Sequence, residues 1–411
     1  MRFFLLSALA AMLLFSSCKE DKPMTISKDF TLTIENVIEG KDYFDNGTTG
    51  LITPGMSESF TFNAGKGHYF QFATMFVQSN DLFLAPSMTG IALYDDAGNA
   101  LTGDITDKIL LWDAGTEVNE EPGVGTNQAP RQSEPNTGTD ENGTVELISD
   151  VDDGFTYPDV QDVIQVTVTH DGGTMFTVTL TNVSNNSSLP TPFAPGTWVV
   201  HSMGQTPMFT KGSPASPGLE AIAEDGNNSK MNDNLTSKSG LVSPFAPGAY
   251  SVGSNNGIFK IGAAASADLE ALAEDGNPGG FANVFNTPDG ASAPGPIFPG
   301  GSYSFSFTAE EGDKLSLATM FVQSNDWFVG LDQVDLFSNG TAKSGDLTSM
   351  AKLYDAGTET DEYAGAGNNQ PPRQSGSNTG TDEGGNVAVE DAASANTPSV
   401  SLMVKITLTV N

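Results

Sequence analysis

ATMFVQSND, at residues 73–81, recurs unchanged at residues 318–326, and this repetition decides the organisation of the chain. The match continues downstream in two further pairs of segments: DAGTE at Asp113–Glu117 and Asp355–Glu359, and NQAPRQSEPNTGTDENG at 127–143 with NQPPRQSGSNTGTDEGG at 369–385. A repeat of this extent predicts two copies of one domain. Most of the identical residues are polar and typical of loops, where binding sites concentrate.

The composition favours a β-rich, loop-rich protein. The chain has 411 residues, enough for two or three domains with cores of their own. Its 45 glycines and 23 prolines indicate many turns, and a hydrophobic content of 38% suits short strands better than long helices.

The charge balance excludes one large class of partners. There are 51 acidic and 17 basic residues, a formal net charge of −34. Such a surface repels phosphates, so no nucleic-acid binding is expected. The carboxylates have two interpretations: they keep the protein soluble, or some of them converge on Ca²⁺, which takes six to eight oxygen ligands.

The N-terminus resembles a bacterial lipoprotein signal. Residues 3–15 form an apolar run too short to span a bilayer and typical of a signal peptide. It ends at Ser17-Cys18, and Cys18, the single cysteine, is the expected lipidation site. An ordinary signal peptide is the alternative. Lys19-Glu20-Asp21 resembles the surface-export signal of Bacteroidota lipoproteins. We therefore expect a signal peptide at 1–17, a tether at 18–28, and a surface-exposed outer-membrane lipoprotein of a Gram-negative bacterium, with the lipid anchor as its membrane contact.

Apolar residues alternate with polar ones along most of the remaining chain. FTLTIENV from Phe30 has period two, as strands do, and FTVTLTNV from Phe176 repeats it. These two starts predict a first domain at 29–172 and a second at 173–411. The fold class expected is all-β, with two antiparallel sandwiches in tandem.

The second domain holds a smaller internal duplication. Residues 192–227 are echoed at 244–277, and both contain an AEDG segment. Ser216 as N-cap, Pro217 at the first helical position and Gly226 as the stop predict a short helix. We therefore expect short capping helices in the second sandwich and a shortened first sandwich that lacks the AEDG segment.

Several motifs resemble the spondin N-terminal domain family. They are SNDWFVGLDQVDLF at 324–337, LYDAGTETDE at 353–362, and the LEAIAEDG helix with the GSPAS before it. Together with GASAPGPIFPGGSYSFSF at 290–307, the pattern is most similar to bacterial spondin-domain lipoproteins. The resemblance implies a C2-like antiparallel sandwich with Ca²⁺ bound at one end by loop carboxylates. It also implies a recognition or adhesion module without catalysis.

The resemblance nominates a set of metal ligands. The candidates are Asp326 and its counterpart Asp81, the Gly330 carbonyl, Glu274 or Glu224 of the two AEDG segments, and Asp355 and Asp113 of the DAGTE motifs. Each of these carboxylates has an alternative role in capping a turn. The first copy reads DLFLAPS where the second reads DWFVG, so an incomplete site is expected there.

Motifs for other chemistry are missing from the sequence. The three histidines form no zinc-binding pattern, and no nucleotide-binding glycine loop occurs. We therefore expect no enzyme activity and an extracellular protein or glycan as partner. A carbohydrate-binding or carbohydrate-active protein is the alternative, since two carboxylates suffice for a glycosidase and Trp327 and Trp198 could stack on a sugar.

Overall fold

The computed structural model describes residues 26–392 and 396–411, so the expected signal peptide and Cys18 lie outside the described residues. The strands are β1 (Ser27–Asn36), β2 (Tyr43–Thr48), β3 (Ser57–Asn63), β4 (His68–Met75), β5 (Leu82–Ala85), β6 (Ile91–Ala92), β7 (Gly103–Asp104), β8 (Leu110–Asp113), β9 (Glu146–Leu147), β10 (Ile164–Gly172), β11 (Met175–Asn182), β12 (Thr197–Ser202), β13 (Phe245–Gly253), β14 (Val284–Phe285), β15 (Ser302–Glu310), β16 (Lys314–Phe321), β17 (Trp327–Asp335), β18 (Phe337–Ser338), β19 (Thr341–Ala342), β20 (Gly345–Asp346), β21 (Lys352–Asp355), β22 (Ala388–Val389) and β23 (Val404–Val410). The helices are α1 (Pro217–Asp225), α2 (Ser229–Lys238), α3 (Ala267–Asp275) and α4 (Val400–Met403).

The strands form two sandwiches with the same internal order. One sandwich packs the sheet β3-β11-β10-β7 on the sheet β2-β12-β4-β5-β8-β9, with β6 beside β4. The other packs β15-β1-β23-β20 on β14-β13-β16-β17-β21-β22. All pairings between these strands are antiparallel. The all-β sandwich class expected from the sequence is therefore confirmed.

The sandwiches are not simply in tandem, because one is inserted into the other. Strand β1 pairs with β15 and β23, so it belongs with the C-terminal part of the chain. We call residues 43–238 the inserted sandwich, and residues 27–36 with 245–410 the split sandwich. The boundaries expected at 29–172 and 173–411 were wrong: β1 lies in the split sandwich, and β11 and β12 complete the inserted one.

The strand pairing explains how this arrangement arises from two similar copies. In the split sandwich the last strand, β23, lies antiparallel to the first strand, β1, with Val410 opposite Phe30. In the inserted sandwich the equivalent strands β10 and β11 are joined directly by a tight turn at Gly172 and Gly173. Neighbouring antiparallel strands need only a short turn to be joined. The chain of the inserted sandwich can therefore start at a different strand and still form a sandwich with the same order of strands, as in a circular permutation.

The helices are shared between the sandwiches, which corrects a second expectation. Helix α1 packs on β4 and β5, and α2 packs on β2, all in the inserted sandwich, whereas α3 packs on β16 of the split sandwich. The predicted start and stop of α1 are present: the Ser216 hydroxyl accepts a hydrogen bond from the Leu219 amide at 3.2 Å, and Gly226 has φ 63°. The inserted sandwich is therefore not shortened, and it carries its own AEDG segment.

Candidate metal centres

Each repeated SND segment forms a tight turn that buries its aspartate. The Ser324 hydroxyl donates to the Phe321 carbonyl at 2.6 Å and accepts from the Trp327 amide at 3.1 Å. Ser79 makes the same two hydrogen bonds, with the Phe76 carbonyl and the Leu82 amide. The turn places Asp326 and Asp81 directly before β17 and β5, and both side chains are fully buried.

One oxygen of each buried aspartate is fixed by the DAGTE segment. Asp326 Oδ2 accepts from the Thr358 amide at 2.7 Å, the Thr358 hydroxyl at 3.0 Å and the Glu359 amide at 3.1 Å. Asp81 Oδ2 accepts three corresponding hydrogen bonds from Thr116 and Glu117. The repeated sequence is therefore a structural unit that positions one carboxylate and leaves its other oxygen for a different partner.

Two further carboxylates join each buried aspartate. In the split sandwich, one oxygen from each of Asp326, Asp355 and Asp361 lies within 4.8 Å of the others. In the inserted sandwich, Asp81, Asp113 and Glu141 form a group with the same spacing. Oxygens bound at 2.3–2.6 Å to one Ca²⁺ lie at most about 5 Å apart, so both groups have dimensions that suit this ion.

The AEDG glutamates lie beside these groups, one in each sandwich. Glu224 lies against Thr116, and Glu274 lies against Thr358 and close to Asp326. In the inserted sandwich, Thr116 and Glu224 also line a polar cavity of about 260 Å³. Each sandwich therefore has one of these two glutamates beside its carboxylate group, so the inserted sandwich does not lack this carboxylate.

Gly330, expected as a carbonyl ligand, is placed elsewhere. It lies inside β17, paired with Ala318 on one side and Lys352 on the other. Four residues along a strand correspond to about 13 Å. The structure therefore separates Gly330 from Asp326, and the expectation of a ligand there was wrong.

Two members of the groups, Asp361 and Glu141, were not identified from the sequence. Asp361 also accepts a hydrogen bond from the Trp327 indole nitrogen at 2.7 Å. At the positions equivalent to Trp327 and Asp361, the inserted sandwich has Leu82 and Asn119. The Asn119 side chain donates a hydrogen bond to Asp113 at 2.7 Å. Asp361 stands in the family-like motif LYDAGTETDE and Glu141 in the repeated segment NTGTDENG, and the acidic residues of these segments were the signal that could have identified them.

Burial raises the pKa of most carboxyl groups at the two centres. Desolvation is the largest cause in each case, and repulsion between neighbouring carboxylates adds to it for Asp81 and Asp355. The pKa values reach about 8 for Asp81, about 7 for Asp355, Glu224 and Glu274, and about 6 for Asp326 and Asp361. Each centre thus concentrates carboxyl groups whose raised pKa values favour the protonated form, and a bound cation would favour the ionised form instead.

Unsatisfied oxygens show what the centres lack. Oδ1 of Asp326 and of Asp81 is buried without a hydrogen-bond partner, and so is Oε2 of Glu274 and of Glu224. A buried carboxylate oxygen without a partner is costly. A hard cation that prefers oxygen ligands would satisfy these atoms, so the residues present fit Ca²⁺.

The long repeated loop after each DAGTE segment is held by an arginine. Arg373 donates from Nε to the Gly367 carbonyl at 2.8 Å and from Nη2 to Gln323 at 2.8 Å, which ties the loop to the repeated VQSND segment. Arg131 makes the equivalent bonds to Gly125 and Gln78. The identical arginines and glutamines of the two copies therefore hold the loops in place by hydrogen bonds.

This role predicts unequal costs for removing the two arginines. Arg131 is exposed, whereas Arg373 is half-buried and its loss removes the donor to the Gln323 side-chain oxygen, while the Gln370 side-chain oxygen keeps only the Gly365 amide. We expect Arg373→Ala to lower the free energy of unfolding by about 1–3 kcal/mol, and Arg131→Ala by less. Denaturant unfolding of both variants measures the difference, and equal losses would contradict it.

Comparison with known proteins identifies a family for part of the chain. Residues 249–381 match the family model described as Spondin_N. The chain thus contains a spondin N-terminal domain, which is a domain of the extracellular binding or adhesion type. The match lies within the split sandwich and includes Asp326, Asp355 and Asp361. A comparison of the chain with curated proteins finds no match.

Proposed function

We propose that the protein is a surface-anchored adhesion or recognition lipoprotein whose two sandwiches each bind Ca²⁺ at one end. The spondin N-terminal domain supports the recognition role. Ca²⁺ would be held by the carboxylates of Asp326, Asp355 and Asp361 in the split sandwich and of Asp81, Asp113 and Glu141 in the inserted one. The ion would supply positive charge that makes the acidic loops rigid. No catalytic role is part of this proposal.

One observation carries the metal assignment. Asp326 and Asp81 are fully buried, and each has one oxygen bound three times while the other has no partner. The same asymmetry in two separate sandwiches is difficult to explain by turn capping, which needs only the bound oxygen.

The path of β1 supports anchoring at the opposite end from the metal centre. Ser27, at the start of β1, lies opposite Glu310, whereas the other end of β1 reaches Asn36, whose side chain donates to the Ser243 carbonyl at 3.0 Å. The Ser243 hydroxyl accepts from the amide of Gln323, which belongs to the VQSND segment. A ten-residue strand spans about 33 Å. A lipid at Cys18 would therefore leave the carboxylates of the split sandwich facing away from the membrane.

Among the residues that the structure describes, no helix has the length and apolar character needed to cross a bilayer.

Thermal unfolding of residues 19–411 in excess Ca²⁺ and in chelator tests the metal assignment. A ligand that binds only the native state stabilises it by about 2.7 kcal/mol at a hundredfold excess over the dissociation constant. We expect the unfolding midpoint to rise clearly with Ca²⁺. An unchanged midpoint, with no heat of binding in calorimetry, would refute the Ca²⁺ sites.

Single substitutions test which residues are responsible for the Ca²⁺-dependent stability. Asp326→Ala is expected to lower the Ca²⁺-dependent part of the stability, because it removes the carboxylate at the centre of the group. Asp233→Asn, on an exposed face of α2, is the matched control and should leave the dependence unchanged. Unchanged Ca²⁺ affinity in Asp326→Ala would remove this residue from the site.

The alternative function is that of a carbohydrate-binding protein. Trp198 and Trp327, expected to stack on a sugar, are buried and offer no stacking surface. A cavity of about 490 Å³ in the inserted sandwich is instead lined in part by the half-buried rings of Phe155 and Tyr157 and by the exposed Asp159. Aromatic rings beside polar groups suit a sugar. Glycan-array binding that persists in chelator and is lost in Tyr157→Ala would favour this function.

A further inference from the structure

The repeated loops have similar sequences but different surroundings. We call residues 361–373 the docking loop and the equivalent residues 119–131 the free loop. Ala366 of the docking loop is 0% exposed, whereas Val124, at the same place in the free loop, is 62% exposed. The difference arises because the docking loop packs on the inserted sandwich.

The packing is close and involves the turn between β3 and β4. A Cβ atom added to Gly65 would clash with the Ala366 carbonyl oxygen, so the two backbones meet there without room for a side chain. The Tyr363 ring lies edge-on to Phe44 with the ring centroids 6.3 Å apart. Burial at this contact lowers the pKa of Arg373 to about 10 and of His68 to about 3. The contact is therefore a desolvated joint between the sandwiches.

The docking loop also forms part of the metal centre of the split sandwich. Asp361, a member of the carboxylate group, stands two residues before Tyr363. The next residue, Glu362, donates its amide to Asn325 at 3.1 Å, directly beside Asp326. One side of a short loop thus faces the carboxylates, and its other side forms the joint.

The metal centre of the inserted sandwich lies away from the joint. Strand β4 begins at His68, next to the joint, and runs toward the turn that carries Asp81. Its eight residues correspond to about 26 Å. The two sandwiches are therefore arranged head to tail, with one carboxylate group at the joint and the other at the free end.

From this arrangement we infer that Ca²⁺ at Asp326, Asp355 and Asp361 fixes the angle between the two sandwiches, whereas Ca²⁺ at Asp81, Asp113 and Glu141 acts only on the free end. The inference rests on the proposed Ca²⁺ binding. Without the cation, repulsion among the three carboxylates of the split sandwich displaces the docking loop and loosens its contact with Gly65 and Phe44. The equivalent displacement in the inserted sandwich moves a loop whose side-chain hydrogen bonds, among the described residues, all stay within that sandwich.

Distances between spin labels test this inference. A soluble form starting at residue 19 has no cysteine, so Asp107→Cys and Ser338→Cys place one label on each sandwich at exposed positions. We expect a narrow distance distribution in Ca²⁺ and loss of the narrow peak in chelator. Asp326→Asn should lose the narrow peak even in Ca²⁺, and Asp81→Asn should keep it.

Two further variants make the test independent of misfolding. Asp361→Asn introduces the residue that the inserted sandwich has at this place, and it should weaken Ca²⁺ binding at the joint and broaden the distribution. Tyr363→Ala should broaden the distribution while calorimetry still detects both ions. If calorimetry detects Ca²⁺ but chelator leaves the distances unchanged, or Asp81→Asn broadens them as Asp326→Asn does, the inference is wrong and the proposed function stands. If calorimetry detects no Ca²⁺ binding, the proposed function is wrong, and the inference that rests on it is wrong as well.

Discussion

A fragment of residues 40–241 is expected to fold by itself, whereas residues 29–172 are expected to remain unfolded. The first fragment contains the strands and both helices of the inserted sandwich. The second lacks β11, which lies between β3 and β10, and it also lacks β12, which lies between β2 and β4. Loss of a central strand from each sheet exposes both halves of the core. Circular dichroism and the dispersion of amide NMR signals distinguish the two outcomes.

The split sandwich supplies the matching experiment. Residues 242–411 lack β1, whose Phe30, Leu32 and Ile34 are fully buried in the core between β15 and β23. We expect this fragment to be unfolded alone and to fold when a peptide of residues 26–37 is added. A peptide with Leu32→Asp serves as the control and should not rescue it. Folding of 242–411 without the peptide would contradict the assignment of β1 to this sandwich.

The second large effect is a loss of stability with rising pH when Ca²⁺ is absent. Buried carboxyl groups with raised pKa values keep protons in the native state that the unfolded chain releases above about pH 4. Their contribution to the free energy of unfolding is complete below that pH and is lost as the pH rises through the native values of about 6 to 8. Each unit by which one pKa is raised corresponds to about 1.4 kcal/mol.

Other titrating groups determine the pH range in which this loss of stability can be observed. His68 has a native pKa of about 3, so its contribution grows as the pH rises toward about 6.5 and opposes the carboxyl groups there. Carboxyl groups with lowered pKa values, such as Asp95 and Asp104, act below about pH 4. The net fall should therefore be clearest between about pH 6.5 and 8.5.

Denaturant unfolding in chelator across this range measures the effect. Asp81→Asn should flatten the curve near pH 8, because Asp81 has the highest pKa of the two groups. Saturating Ca²⁺ should remove most of the fall, and Ca²⁺ affinity should increase with pH because binding displaces protons. Stability that rises between pH 6.5 and 8.5 in chelator would show that the carboxyl groups are already ionised in the native protein.

Much of the architecture follows from local pattern. The duplicated domain, the alternating strands and the caps of α1 could be predicted because each depends on nearby residues. The assignment of β1 and β11 could not, because FTLTIEN and FTVTLTN have the same alternation and either would fit either sheet. The choice between them depends on chain connectivity, and the direct β10–β11 hairpin decides it in the structure.

The candidate site also contains some residues that could be predicted from the sequence and others that could not. Asp326 could be nominated because SNDWFVG resembles the family's motif, and Asp81 because it is the counterpart of Asp326 in the repeat. Asp361 and Glu141 join their groups from long loops, at positions that are not equivalent in the repeat, and Arg373 and Arg131 hold these loops by hydrogen bonds. Period and spacing carry no information about the course of a long loop, so the third carboxylate of each group was missed.

The insertion of one sandwich into the other also sets the order in which the parts can form during synthesis. Strand β1 is made first, yet its neighbours β15 and β23 lie near the end of the chain, and Thr31 and Ser306 are 275 residues apart. The inserted sandwich can be complete while β1 is still unpaired. Contacts at this sequence separation form slowly. The chain therefore carries an unpaired strand through most of its synthesis, and a chaperone that shields residues 27–36 would protect it from joining a second chain.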